Sequence, residues 1–463
     1  MGNCFSCVER LHTHMLANLV CLGRRTVTGL ITAAGGQFSD WTAHYSLYSK
    51  GRVDPNPIFQ EVRRQVESLN PTSEPLCVAL DDTIIRKTGK KIPGVGFRRD
   101  PLGPKFQVNL AFALRWLQMS AAMIAPDGQA RMVPIAFKNA SIPRKPSKFA
   151  SSEQTQHYRE AVKQHNLNRL ALDSLEDLQN QRKEENQGQT PRLHVLVDGS
   201  FTNSSILPNL PTNTTLIGRI RKDAKLYAKP AEQTKFGRRK IYGTPQPTPE
   251  QVRQDDSIAW QKIQIHHKGT KRELEVKTMT GVRWRPAKNK DLLIVVIRPV
   301  PYLKKKGARS GYTQPGYLVC TEPDLSLKNL LEEYLMRWDI EVNHRDEKTI
   351  LGTGQAQVRN KQSVNTLPAM SVASYSILLV AAVQRYGQGD CPDTIPTPKW
   401  RRKQQKGKTR PSLQDLVNEL RFSLWSDSIK AIHLDDFVKT KEDDKKSIKR
   451  KFNLCSPLFA TNA

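Results

Sequence analysis

Apolar positions in residues 1–70 recur at helical spacing: Leu16, Leu19 and Leu22, then Val27, Leu30 and Ile31, with Gly35-Gly36 as a stop. The pattern predicts short helices there. After Pro55, Pro57 and Asn70-Pro71-Thr72-Ser73-Glu74-Pro75, the run Leu76-Cys77-Val78-Ala79-Leu80 leads into Asp81-Asp82. It reads as a buried strand ending in acid. Phe106–Trp116 and Ala121–Phe137 are further strand candidates, and Pro126-Asp127-Gly128 supplies hairpin-turn residues, so a three-stranded meander is expected. From Glu153 to Asn186 helix formers dominate, as one long helix or two shorter ones. Leu193-His194-Val195-Leu196-Val197 is then a second apolar strand closing on Asp198-Gly199.

The texture changes over 225–324. Strand candidates Ile258–Ile265, Glu273–Thr278, Leu292–Ile297 and Gly316–Thr321 are separated by basic turns such as Lys235–Lys240 and Lys304–Lys306. A helix is expected from near Ser326 past Lys348, and an apolar one over Val364–Gln384. Beyond Pro392, Pro396 and Pro398 the basic runs Lys399–Lys403 and Lys445–Lys451 flank one amphipathic helix, Ser412–Trp425. The expected division is a helical region at 1–70, a core in two parts at 71–224 and 325–391, a β-rich basic insertion at 225–324 and a basic C-terminal region at 392–463.

Charge narrows the class of partner. Lys and Arg number 73 against 44 Asp and Glu, a formal excess of +29 that calls for an anionic partner and exceeds what solubility needs. No apolar run approaches the roughly 18 residues of a membrane span, so no membrane partner is expected. The seven cysteines are scattered, which suits reduced thiols. Cys4 and Cys7 with His12 and His14 carry zinc-ligand chemistry, but not the spacing of the familiar fingers.

The acids carry the chemistry. Asp81 and Asp198 each follow an apolar strand, and Glu341 lies on the downstream helix. Carboxylates suit hard divalent cations, and two such ions about 4 Å apart promote in-line displacement at phosphorus. Asp82 rivals Asp81, because alternation lets only one of two neighbours face a site. On the helix, Tyr334, Arg337, Glu341 and Lys348 follow at intervals of three, four and seven residues, within about 60° of one face. A polar stripe of this kind is ordinarily a solvated face, but a phenol and two cations beside a carboxylate are groups that grip phosphate oxygens. Leu331, Leu335, Trp338 and Val342 fill the neighbouring sector and are expected to anchor the helix to a core.

Tyr334-x2-Arg337-x3-Glu341-x6-Lys348 resembles the Y-R-E-K signature of IS4-type DDE transposases. With Leu80-Asp81-Asp82-Thr83, Val197-Asp198-Gly199 and Leu216–Asp223, the similarity is to the IS701-like branch, from about Leu76 to Gly354. The resemblance implies an α/β fold with an RNase H-like catalytic core, a mixed sheet flanked by helices, and a β-rich insertion between the second aspartate and the glutamate. It implies that Asp81, Asp198 and Glu341 are catalytic and bind two Mg²⁺ ions, for which Mn²⁺ can substitute; the family pattern favours Asp81 over Asp82. Tyr334, Arg337 and Lys348 would hold DNA phosphates, and Trp284, within Arg283–Arg285, is the candidate to stack on a flipped end base.

The implied activity is cut-and-paste movement of an insertion sequence: nicking by water, then transesterification by the freed 3′-hydroxyl. The implied partners are double-stranded DNA, as terminal inverted repeats and target, and a second copy of the chain, in the bacterial cytoplasm. A catalytically retired DNA-binding descendant and a two-metal structure-selective nuclease stay open as alternatives. So does the role of the N-terminal helices, in reading DNA ends or in packing.

Overall fold

A computed structural model describes residues 3–70, 75–100, 103, 106–107, 109–124, 130–142, 145–231, 239–302, 311–387 and 410–425. The chain opens on helices α1 (Asn3–Val20), α2 (Val27–Ala33), α3 (Thr42–Ser49) and α4 (Asn56–Leu69). At 18 residues α1 is longer than the short helices expected. The Thr26 side chain caps α2 by accepting from Gly29 N, and Gly35, with φ +80°, turns the chain after it. His14 points inward, where its Nδ1 lies 2.9 Å from Tyr48 Oη and its Nε2 2.7 Å from His44.

Strands β1 (Leu76–Arg86), β2 (Gly96–Arg99), β3 (Leu110–Ile124) and β4 (Ala130–Asn139) follow. β1 does not stop at its acids: Arg115 on β3 donates to Asp82 at 2.6 and 2.8 Å, which lets the strand carry the charge onward. β3 likewise runs through 117–120, where a break was expected, because both of its faces are buried and the alternation that marks a strand is lost. The expected turn at Pro126–Gly128 lies outside the described residues. Two helices come next, α5 (Ser152–Gln164) and α6 (Leu167–Glu185), parted where Asn166 caps the second.

β5 (Leu193–Val197) and β6 (Thr214–Arg219) precede β7 (Leu226–Tyr227), β8 (Pro245–Gln246), helix α7 (Pro249–Gln254), β9 (Gln261–His267), β10 (Thr270–Trp284), β11 (Leu292–Ile297), β12 (Pro301–Tyr302), β13 (Gly311–Tyr312) and β14 (Gly316–Cys320). The chain then forms helices α8 (Leu327–Met336), α9 (Trp338–Thr349), α10 (Lys361–Tyr386) and α11 (Leu413–Trp425).

The main sheet runs β2-β3-β1-β5-β6-β14-β11-β10-β7-β8, with β4 on β3 and β9 on β10. β2, β3 and β1 are antiparallel neighbours, whereas β1-β5 and β5-β6 are parallel. This large mixed sheet flanked by helices is the architecture of an RNase H-like core. Most strands of 225–324 continue the same sheet, because β14 pairs with the free edge of β6 through Leu318↔Arg219, Val319↔Gly218 and Cys320↔Ile217, while β12 and β13 form a separate pair.

Alternation along β1 sorts its side chains between two cores. Leu76, Val78 and Leu80 pack with Val62 and Val66 of α4 and Leu172 and Leu175 of α6. Cys77 and Ala79 pack with Leu330 and Leu331 of α8 and Ile340 of α9. α10 lies along β4 and against α1, α3 and α4. α10 is long and apolar enough to cross a membrane by length and composition, but most of it is buried inside this protein.

α9 is anchored by polar groups. Asn343 Nδ2 donates to Ser120 Oγ at 3.2 Å and to the Met132 carbonyl at 3.1 Å, and its Oδ1 accepts from Tyr375 Oη at 3.1 Å, joining α9 to β3, β4 and α10. Asn343→Ala strands several buried partners and should destabilise by about 2–4 kcal/mol in denaturant unfolding. A loss under about 1 kcal/mol would show that the network does not hold the helix.

Candidate active site

Residues i and i+4 of a strand share a face, so Asp81 continues the Cys77-Ala79 row toward α8 and α9. Asp82 turns to the other face, into its ion pair with Arg115. Asp198 stands one residue past β5, the parallel neighbour of β1, whose register sets Leu80 beside Val197. Ser200 fixes its carboxylate, donating to Oδ1 from N at 2.8 Å and from Oγ at 2.6 Å. The turn after Asp198 presses on β6, where a Cβ at Gly218 would meet Thr202 Cγ2 at 2.5 Å and Val197 Cγ2 at 2.7 Å.

Glu341 comes from the other side, on the first turn of α9. The single long helix expected from Ser326 is interrupted at Arg337, where Arg337 N bonds the Tyr334 carbonyl and Ile340 N bonds the Arg337 carbonyl, the tighter i to i−3 pattern. The tightening changes which side chains share a face. Trp338, expected as a core anchor, is 55% exposed, and α9 instead buries Asp339, Ile340, Asn343, His344, Asp346 and Glu347.

Arg337 joins the pieces. Its Nη2 lies 3.1 Å from Glu341 Oε1 and its Nη1 4.0 Å from Asp81 Oδ2. The guanidinium is nearly buried, and its carbon stands 5.8 Å from the centre of the Tyr334 ring. Arg337 Nε and Tyr334 Oη are buried without a hydrogen-bond partner among the described residues. Lys348 is exposed on the same helix, within electrostatic reach of Asp81.

The electrostatics record the crowding. Burial, and then the charge of Asp198, push the Asp81 carboxyl up to about 7, against the opposing pull of the Asp82 N–H and Arg337. Behind it, burial pushes Glu347 up to about 8 and His344 down to about 3, so near neutral pH the Glu347 carboxyl keeps its proton and the His344 ring stays uncharged. Among the described residues Asp81, Asp198 and Glu341 do not all bring ligand atoms within 4.8 Å of one another; Arg337 sits between two of them.

Trp284 is not part of this group. It ends β10 and packs, half-buried, on the core shared with α4 and α6. Two side chains were not read as functional from the sequence. Trp338 is an exposed indole directly after Arg337. Arg219 ends β6 beside Gly199 and acts electrostatically on Tyr334. Period-two counting along β6 was the available signal for Arg219; for Trp338 there was none, since its exposure follows from the break at Arg337. From Arg219 a cleft of about 440 Å³ leads away along Lys222, Arg253, Gln314 and Tyr317.

Residues 3–289 match the family described as DDE superfamily endonuclease. No curated protein matches the chain. The family match takes in Asp81 and Asp198 and ends before the helix of Glu341, whose position rests on the geometry above.

The raised Asp81 carboxyl makes stability depend on pH. Between about 4 and 7 the unfolded chain ionises at Asp81 while the fold retains the proton, so the folded form holds more protons and stability falls as pH rises. In chelator-treated protein, Asp81→Asn should match the wild type near pH 4. It should exceed the wild type in unfolding free energy by on the order of 2–4 kcal/mol at pH 8. A difference that does not change between these pH values would exclude the shift.

Proposed function

The chain belongs to the DDE superfamily endonucleases, a family of nuclease and transposase type acting on DNA, and from that premise we propose that it is an IS4-type, IS701-like transposase. Its reaction is cut-and-paste transposition of an insertion sequence: water nicks the element's end, and the freed 3′-hydroxyl then attacks phosphorus in later strand transfers. The observation that carries this reading is the Arg337 guanidinium between Asp81 and Glu341, with Asp198 on the strand beside Asp81.

Family members work with divalent metal ions, and the donor set fits a hard cation. Asp81, Asp198 and Glu341 offer only oxygen, and the mutual repulsion of Asp81 and Asp198 calls for a nearby positive charge. A pair of Mg²⁺ ions held by these three would supply charge stabilisation to the attacking and leaving oxygens, and Mn²⁺ can take the same donors.

The side chains do the rest. Asp81 and Glu341 give up the Arg337 guanidinium, which turns its donors, Nε included, to the scissile strand. Tyr334 Oη and Lys348 hold neighbouring phosphate oxygens, and Arg219 and Lys222 continue the cationic path along the cleft. Trp338, exposed and next in the chain to Arg337, is a better platform for an unstacked end base than Trp284, which packs on the core. A second copy of the chain would process the other end.

Labelled terminal-repeat duplex incubated with the protein and Mg²⁺ should be nicked and then joined to target DNA. Asp198→Ala and Glu341→Ala should each lower nicking at least 1,000-fold while leaving DNA affinity within a few-fold. Trp338→Ala should slow processing of paired ends more than of ends with an unpaired terminal base. Binding without metal-dependent nicking would mark a retired DNA-binding descendant, and cutting without joining would mark a nuclease.

A further inference from the structure

A second cluster lies on the same strands as the acids and on the same face. Cys77 is four residues before Asp81 on β1, and His194 four before Asp198 on β5; the parallel register sets the two side by side. Four residues of strand span roughly 13 Å. Glu333 of α8, eight residues before Glu341, completes the group. The Cys77 sulfur, a His194 ring nitrogen and a Glu333 oxygen all lie within 4.8 Å of one another. Cys77 is 2%, His194 1% and Glu333 7% exposed.

We propose that Cys77, His194 and Glu333 supply three ligands of a zinc site, with a water as the fourth, that fastens β1, β5 and α8 together at the end away from the catalytic acids. A thiolate, an imidazole and a carboxylate suit Zn²⁺, whereas Mg²⁺ takes oxygen donors and keeps its waters. Ligand atoms around one tetrahedral Zn²⁺ stand roughly 3.3–3.8 Å apart, so small side-chain rotations suffice.

The surroundings fit such an ion. His194 Nδ1 now lies 2.7 Å from Glu333 Oε2. His194 Nε2 faces Glu322 Oε2 at 3.9 Å. Glu322 is itself held by Arg192 at 3.0 Å and by Thr215 Oγ1 at 2.6 Å. Arg192 Nη2 is nearer to Nε2, at 3.4 Å. With zinc on Nδ1 the ring proton moves to Nε2, and Arg192 must turn aside for Glu322 to accept it in the carboxylate-histidine-metal arrangement of zinc sites. Zinc displaces the hydrogen shared by Nδ1 and Glu333, and the Cys77 thiol gives up its proton on ligation. Cys320 is fully buried in the same apolar cluster.

The site is independent of the transposase reading, and its test needs no turnover. Full-length protein titrated with Co²⁺ should take up one equivalent that gives a near-ultraviolet thiolate-to-cobalt band. Stoichiometric Zn²⁺ should displace it and raise the thermal midpoint by several degrees. Cys77→Ala and His194→Ala should lose the band. The Asp81→Asn/Glu341→Gln and Cys4→Ser/Cys7→Ser double variants should keep it, and Glu322→Gln should weaken zinc about 10–100-fold. Should Cys77→Ala fail to fold by far-ultraviolet circular dichroism, Glu333→Gln takes its place, with at least tenfold weaker Zn²⁺ binding expected. A wild-type protein with no thiolate band and no zinc-dependent midpoint overturns the proposal, as does an undiminished band in folded Cys77→Ala or undiminished zinc affinity in Glu333→Gln.

Discussion

The parallel pairing of β1 with β5 is the constraint on which the rest depends. It sets Leu80 beside Val197, so the residues that follow, Asp81 and Asp198, arrive as neighbours on one face of the sheet. Two carboxylates held this close in a half-buried setting repel each other, which the raised Asp81 carboxyl records. Arg337 answers with a guanidinium from the opposite layer, and its charge in turn draws in Glu341. The position of α9, the break before it and the burial of its polar face all serve that encounter.

Much of this was legible in the chain. The apolar runs before Asp81 and Asp198 marked both strands, and spacing alone marked the helix segment from Tyr334 to Lys348. Other parts depended on partners remote in sequence. That β1 continues past Asp82 rests on Arg115, supplied 33 residues later. The polar burial of α9 rests on Ser120, Met132 and Tyr375, none of which is near it in the chain. A helical count that placed Trp338 in a core assumed one unbroken helix, and the tight turn at Arg337 rotates the indole outward.

α9 also shows how a helix with little apolar surface can be built into an interior. Asn343 meets its hydrogen-bonding needs with neighbours, and Asp339 does so through Arg410 at 2.5 Å. Glu347 and His344 lower the cost of burial by staying uncharged near neutral pH. The consequence is a stiff backing for Glu341 that tolerates few substitutions.

The junction of β14 with β6 has a mechanical consequence. An unbroken ladder of hydrogen bonds runs from the strand of Asp198 through β6 into the strands of 225–324. Such a ladder resists bending between β5 and β14. Were a duplex to reach both the acids and that outlying surface, its own bending stiffness would join the selection of which DNA is accepted.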